Sequence, residues 1–169
     1  QPMAFCWDDR GRMWVAENRD YETRKTGFAN QGDSRIVILE DTDGDGKFDT
    51  RKVFAEGIPF PAAIAVGFDG LWLGAPPNLL FVPDKNRDDR ADAAIEIRLT
   101  GWGIQDRHET LNSLNWGPDG WLYGCQGYAT RSTVGKPADG GKLFKRGEPF
   151  PEKIPVIDGQ YLDGGVWRY

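Results

Sequence analysis

The chain has one histidine, His108, and it follows Asp106 and Arg107 just ahead of an apolar-alternating run. Imidazole can take up and release a proton near neutral pH, and a nearby carboxylate can orient it. Asp106 is placed to do that. Asn112, Gln126 and Arg131 add two neutral amides and a fixed cation, a set suited to a polar or anionic ligand. These residue types point to general-base chemistry, against the plainer reading of a structural histidine in a loop. A single histidine makes no multi-histidine metal site. No G-x-S-x-G elbow, phosphate-binding loop or dinucleotide-binding glycine motif occurs.

A second cluster is chemically different. Asp41, Asp43, Asp45 and Asp49 place oxygen ligands at positions 1, 3, 5 and 9 of a loop, with Gly46 at position 6. That is the spacing of a calcium loop, in which carboxylates converge on one cation and glycine permits the sharp turn. Lys52 stands at position 12, where a helical sensor site has its bidentate Glu, so a weaker site is expected. The competing reading is a solvated acidic turn. A related loop runs from Asp84 to Asp92, but it has Asp89 at the glycine position and two arginines inside, and reads as a degenerate copy.

These side chains need a scaffold, and the sequence repeats one. Phe5 to Val15, Ile64 to Leu73 and Leu114 to Tyr123 each read as strand, turn with an acidic residue and glycine, then strand. In the first two units a second hairpin follows: Ser34 to Glu40 leads into Thr50 to Ala55, and Asn78 to Val82 into Ala94 to Leu99. The acidic loops start 43 residues apart. Four strands per unit at that period is the signature of a β-propeller blade. The expected fold is all-β: blade one over 2–57, blade two over 59–100, and an incomplete blade three over 111–169 with an insertion at 128–164. That is about two and a half four-stranded blades, with about nine or more strands and almost no helix. An ordinary β-sandwich is the runner-up.

In such a blade the loops between second and third strands share a face with the blade-to-blade loops. That face collects the long polar stretches at 17–33, 75–77, 101–112 and 124–164. Long loops on a rigid scaffold are where ligands bind. His108 and Gln126, 18 positions apart, are expected there together, at the open end of one hairpin. The short turns and both acidic loops fall on the opposite face.

Composition sets outer limits. Among 169 residues, 39% hydrophobic and 28% charged content is that of a globular chain, and 22 Gly with 11 Pro suit a turn-dense fold. A net charge of -5 offers no basic face for nucleic acid. No apolar run is long enough to span a bilayer. Cys6 and Cys125 form neither CxxC nor CxxCH, and read as small buried residues instead of a disulfide. The chain opens without Met and closes inside a strand-like run, GGVWRY, as a piece of a longer protein would.

The stretch HETLNSLNWGPDGWLYGCQG, with RIVILEDTDGDGKFDTRKVFAEGIPFPAAI before it and GGVWRY after it, resembles the membrane-bound dehydrogenase family abundant in planctomycetes and related bacteria. The propeller of that family is similar to soluble quinoprotein glucose/sorbosone dehydrogenases. The resemblance implies a propeller of about six blades in a periplasmic or otherwise extracytoplasmic protein, anchored to a membrane through parts outside this chain. It also implies a downstream haem c domain as electron acceptor. By the same resemblance His108 is the general base that takes a hydroxyl proton from a sugar or alcohol while hydride passes to pyrroloquinoline quinone. Asp106 then supports the base, and Asn112, Gln126 and Arg131 contact the cofactor. The sequence departs at Arg107, where the sugar dehydrogenases carry Asp, so that Asp106 is one position off. A calcium-stabilised, non-catalytic extracellular propeller that binds a glycan or protein is the alternative. A lactonase-like channel metal, with Glu17 as a ligand, is a third reading.

Overall fold

Each of the three short acidic turns closes a hairpin. The computed structural model describes residues 2–19, 34–106, 108–144, 151 and 153–169. Among these are thirteen strands and no helix, and so no helix long and apolar enough to cross a membrane.

The first unit is a four-stranded antiparallel sheet in chain order: β1 (Pro2–Trp7), β2 (Met13–Glu17), β3 (Ser34–Glu40) and β4 (Thr50–Ile58). The second repeats it with β5 (Ala63–Val66), β6 (Gly70–Ala75), β7 (Asn78–Pro83) and β8 (Glu96–Thr100). The third begins with β9 (Asn112–Trp116) and β10 (Leu122–Gln126). Two further strands, β11 (Ser132–Pro137) and β12 (Val156–Leu162), precede β13 (Gly165–Arg168), which pairs back onto β10.

One departure from the sequence reading lies in the 128–164 insertion. It carries a hairpin, β11 with β12, and this hairpin adds to the outer edge of β8, giving the second sheet six strands in the order β12-β11-β8-β7-β6-β5. The join is close. Gly135 pairs with Thr100, and a side chain on Gly101, at φ 106°, would run into the backbone of Thr133. The physical cause is the unpaired row of backbone groups along β8, which the hairpin covers.

Alternation along the strands builds two cores with the second sheet between them. Ile64, Leu71, Leu73, Leu80 and Val82 face the first sheet, where they meet Trp14, Ile36, Ile38 and Phe54. Ala65, Trp72 and Leu79 face the other way, onto Leu111, Leu114 and Leu122. The first strand of each unit lies next to that of the following one, β1 against β5 and β5 against β9. Sheets stacked face to face with their first strands adjacent are arranged as propeller blades. Trp116 fixes one such junction: its Nε1 donates to the Val66 carbonyl at 2.8 Å, over Gly67.

Both cysteines are free and half-buried. Burial pushes the Cys6 thiol up to about 11, and the Cys125 thiol donates to Asn112 Oδ1.

Candidate functional site

The His108 loop is rooted in the core and tied to the far end of β10. Thr110 and Leu111, just after it, are fully buried. The Glu109 carbonyl accepts from Gly127 N at 2.9 Å, and Glu109 Oε2 accepts from Ala129 N at 2.9 Å. Thr110 Oγ1 donates to the Gly103 carbonyl at 2.8 Å, and Thr130 Oγ1 donates to that of Asp106 at 3.4 Å. The segment before β9 and the one after β10 therefore share one end of the hairpin. Glu109 does much of the tying and was missed in the sequence, where only its place beside His108 singles it out.

Asp106 Oδ1 accepts from the backbone N–H groups of His108 at 2.7 Å and Glu109 at 3.1 Å, an Asx-type turn that shapes the loop. The same oxygen lies 3.6 Å from His108 Nδ1. That is beyond hydrogen-bond range and within ion-pair range once the ring is charged. The imidazole is 73% exposed. Arg107 lies outside the described residues.

The other expected contacts divide. Asn112 donates to the Thr110 carbonyl and accepts from Cys125 Sγ. Gln126 is buried, and its amide N–H donates to the Thr130 carbonyl at 2.6 Å. Both therefore hold the hairpin end together. Arg131 is 78% exposed on the same face, 3.8 Å from Asp163. Glu17 is held by Arg51 Nη2 at 2.8 Å and by Arg35, so its carboxylate serves the first sheet. The loop at 17–33 is described only to residue 19.

In the first acidic loop, ligand oxygens of Asp41, Asp43 and Asp49 lie within 4.8 Å of one another. Three oxygens at that spacing fit around one cation with metal–oxygen distances of about 2.4 Å. Asp45 is turned aside: its Oδ2 is 3.2 Å from Lys47 Nζ. Gly46 takes φ 85°, and its N–H donates to Asp41 Oδ2 at 2.8 Å. That bond, with a second from Gly44, holds the Asp41 carboxyl below the ordinary carboxylate range.

The second acidic loop keeps the same frame. Asp49 N donates to the Glu40 carbonyl, and Asp92 N to that of Pro83. Asp89 stands at the glycine position with φ 65°. It accepts Arg12 Nη1 and Nη2 at 2.8 and 2.9 Å, and Lys52 Nζ at 2.8 Å. Arg12 Nε reaches Asp8 Oδ2 at 2.9 Å, which Trp14 Nε1 also bonds. Burial alone would raise the Asp8 and Asp89 carboxyls, but these donors outweigh it and hold both below their ordinary range. Asp84 moves the other way, raised by burial.

Comparison with curated proteins and with solved structures yields no match. A family model described as a domain of unknown function, DUF7133, matches residues 1–160. That match spans nearly the whole chain, and the chain belongs to the DUF7133 family.

Proposed function

We propose that this chain is part of an extracytoplasmic propeller that oxidises a hydroxyl of a sugar or alcohol, with His108 taking the hydroxyl proton. The observation that carries the reading is the exposed imidazole at the head of β9, with Asp106 Oδ1 3.6 Å from Nδ1. A carboxylate on that side can orient the ring for proton transfer. A separation somewhat longer than a hydrogen bond is ordinary for such a pair without substrate.

The resemblance implies pyrroloquinoline quinone as the hydride acceptor. The described residues do not form a cradle for it. Asn112 and the amide nitrogen of Gln126 are engaged within the hairpin end, Gln126 Oε1 is buried without a partner among the described residues, and Arg131, beside Asp163, is one exposed cation. Oxidation would be complete only when hydride leaves the same carbon as His108 takes the hydroxyl proton, and that hydride would go to an acceptor that the described residues do not hold. Calcium in the first acidic loop, held by Asp41, Asp43 and Asp49, belongs to the proposal as a stabiliser of the opposite face. Haem c enters only as an electron acceptor in an attached domain.

The engagement of Asn112 and Gln126 favours a second reading, a calcium-stabilised propeller that binds a glycan or protein without catalysis. Dye reduction by the full-length protein, supplied with quinone and calcium and compared with His108→Ala, separates the two.

A further inference from the structure

The hairpin added by β11 and β12 makes a cavity that its host sheet would otherwise lack. It is ≈ 400 Å³ and borders the segment that leads from β8 to His108. Its walls come from the segment after β8 (Gly101 to Gln105), the start of β11 (Arg131 to Thr133), the turn at Pro77, and Pro151, Lys153, Ile154 and Tyr161. The chain carries a net charge of -5, yet among the described residues this lining contains two cations and no carboxylate.

Among the described residues, no carboxylate lines the cavity beside either cation. Asp163, which does not line the cavity, is within ion-pair range of Arg131 Nε at 3.8 Å, and among the described residues the terminal nitrogens of Arg131 have no partner. Lys153 has none among them either. Trp102 lines the same space and is buried, with an indole N–H that has no acceptor among the described residues. Such a donor carries a desolvation cost unless a ligand or water satisfies it. Tyr161, 62% exposed, sets an aromatic ring at the wall. The cavity is joined to the His108 loop, since Gln105 lines it and Asp106 follows directly.

We propose that this cavity binds the acidic group of an anionic saccharide. A sugar carboxylate or sulfate ester would sit between Arg131 and Lys153, with the ring carbons against Tyr161. A planar guanidinium suits a two-oxygen anion, and an ammonium adds a point charge. The saccharide part rests on the sugar-oxidising reading above; the anion part rests on the lining alone.

Calorimetric titration of the full-length protein tests it, with glucuronate and glucose 6-sulfate against neutral glucose, and with citrate and inorganic sulfate as bare anions. The two acidic sugars are expected to bind, glucose to bind at least tenfold more weakly, and affinity to fall with added salt. Arg131→Gln and Lys153→Gln should each weaken glucuronate by about tenfold. Tyr161→Ala should weaken both acidic sugars while leaving sulfate unchanged. The proposal is overturned if glucose binds as well as glucuronate, if no acidic sugar binds, if bare anions bind as tightly as the sugars, or if the charge variants bind like wild type. Binding of glucuronate without turnover of any sugar would remove the oxidation reading and keep this site. Turnover of neutral sugars with no acidic binding would do the reverse.

Discussion

Arg12, in the turn of the first hairpin, grips Asp89 of the second sheet with both terminal nitrogens, at 2.8 and 2.9 Å, across 77 positions of sequence. Asp89 occupies the place that Gly46 holds in the first acidic loop, and both take a left-handed backbone. The two loops share a frame and differ in what their carboxylates meet. The first turns Asp41 and Asp49 onto its own Gly44, Gly46 and Thr42, and the second receives guanidinium and ammonium groups from the neighbouring sheet. The second loop is thus a clamp between sheets.

Breaking the clamp should be costly. The Arg12 side chain is 7% exposed, and those of Asp8 and Asp89 are 3% and 10%. Arg12→Met leaves two buried carboxylates, of which Asp89 alone keeps a cation, Lys52. The expected loss is about 3–5 kcal/mol in urea unfolding. A loss below about 1 kcal/mol would make the contact a surface pair in effect.

The clamp also sets the acid limit. Asp8 and Asp89 have folded pKa values below their unfolded ones. Their contribution is full above the ordinary carboxylate pKa of about 3.9 and is lost as pH falls through the lower folded values. The difference in melting temperature between wild type and Arg12→Met should therefore be constant from pH 7 to about 5 and shrink below. A difference that holds or widens toward pH 3 would contradict this.

How much of this was readable beforehand follows the range of the interactions. Hairpins closed by Asp-Gly turns are local, and alternation with turn residues marked them at Asp8 to Gly11 and Gly117 to Gly120. Gly165 to Tyr169 was also legible as a strand of the third unit, although it returns after a long insertion, and the strand itself runs Gly165–Arg168. The hairpin inside that insertion was not. STVGKP and VIDGQYL alternate poorly, and what makes them strands is the open edge of β8, a tertiary fact. The pairing of Arg12 with Asp89 was hidden for the same reason. Asn112 and Gln126 were placed correctly at the hairpin end, but no sequence pattern tells whether an amide faces a ligand or a carbonyl of its own loop.

Calcium should discriminate among the four aspartates of the first loop. The intact protein should melt higher with calcium than with chelator, by an amount equivalent to about 2.7 kcal/mol at a hundredfold excess over Kd. Asp43→Ala should abolish the shift. Asp45→Ala should keep most of it, because Asp45 faces Lys47. Equal melting with and without calcium would reduce the loop to an acidic turn.

The junction at Trp116 offers a steric test. A Cβ on Gly67 would lie 2.5 Å from Trp116 Nε1, so Gly67→Ala must displace the indole and its bond to Val66. Destabilisation of about 1–3 kcal/mol is expected, with a change in tryptophan fluorescence. Trp116→Phe in the Gly67→Ala background should recover part of the loss, since the smaller ring leaves room. No recovery would place the strain elsewhere.

The proton-accepting role of His108 is tested most directly by turnover of the full-length, quinone- and calcium-supplied protein and of its His108→Ala and His108→Gln variants. The account predicts a fall of about a hundred- to ten-thousand-fold in both variants, with melting temperature and calcium response unchanged, because the imidazole is 73% exposed and its removal leaves the core intact. Glutamine should give no rescue, since an amide cannot take the proton. A wild type that reduces no dye with any sugar or alcohol, together with a His108→Ala variant that melts earlier, would contradict the account and leave His108 as a structural residue of a binding propeller.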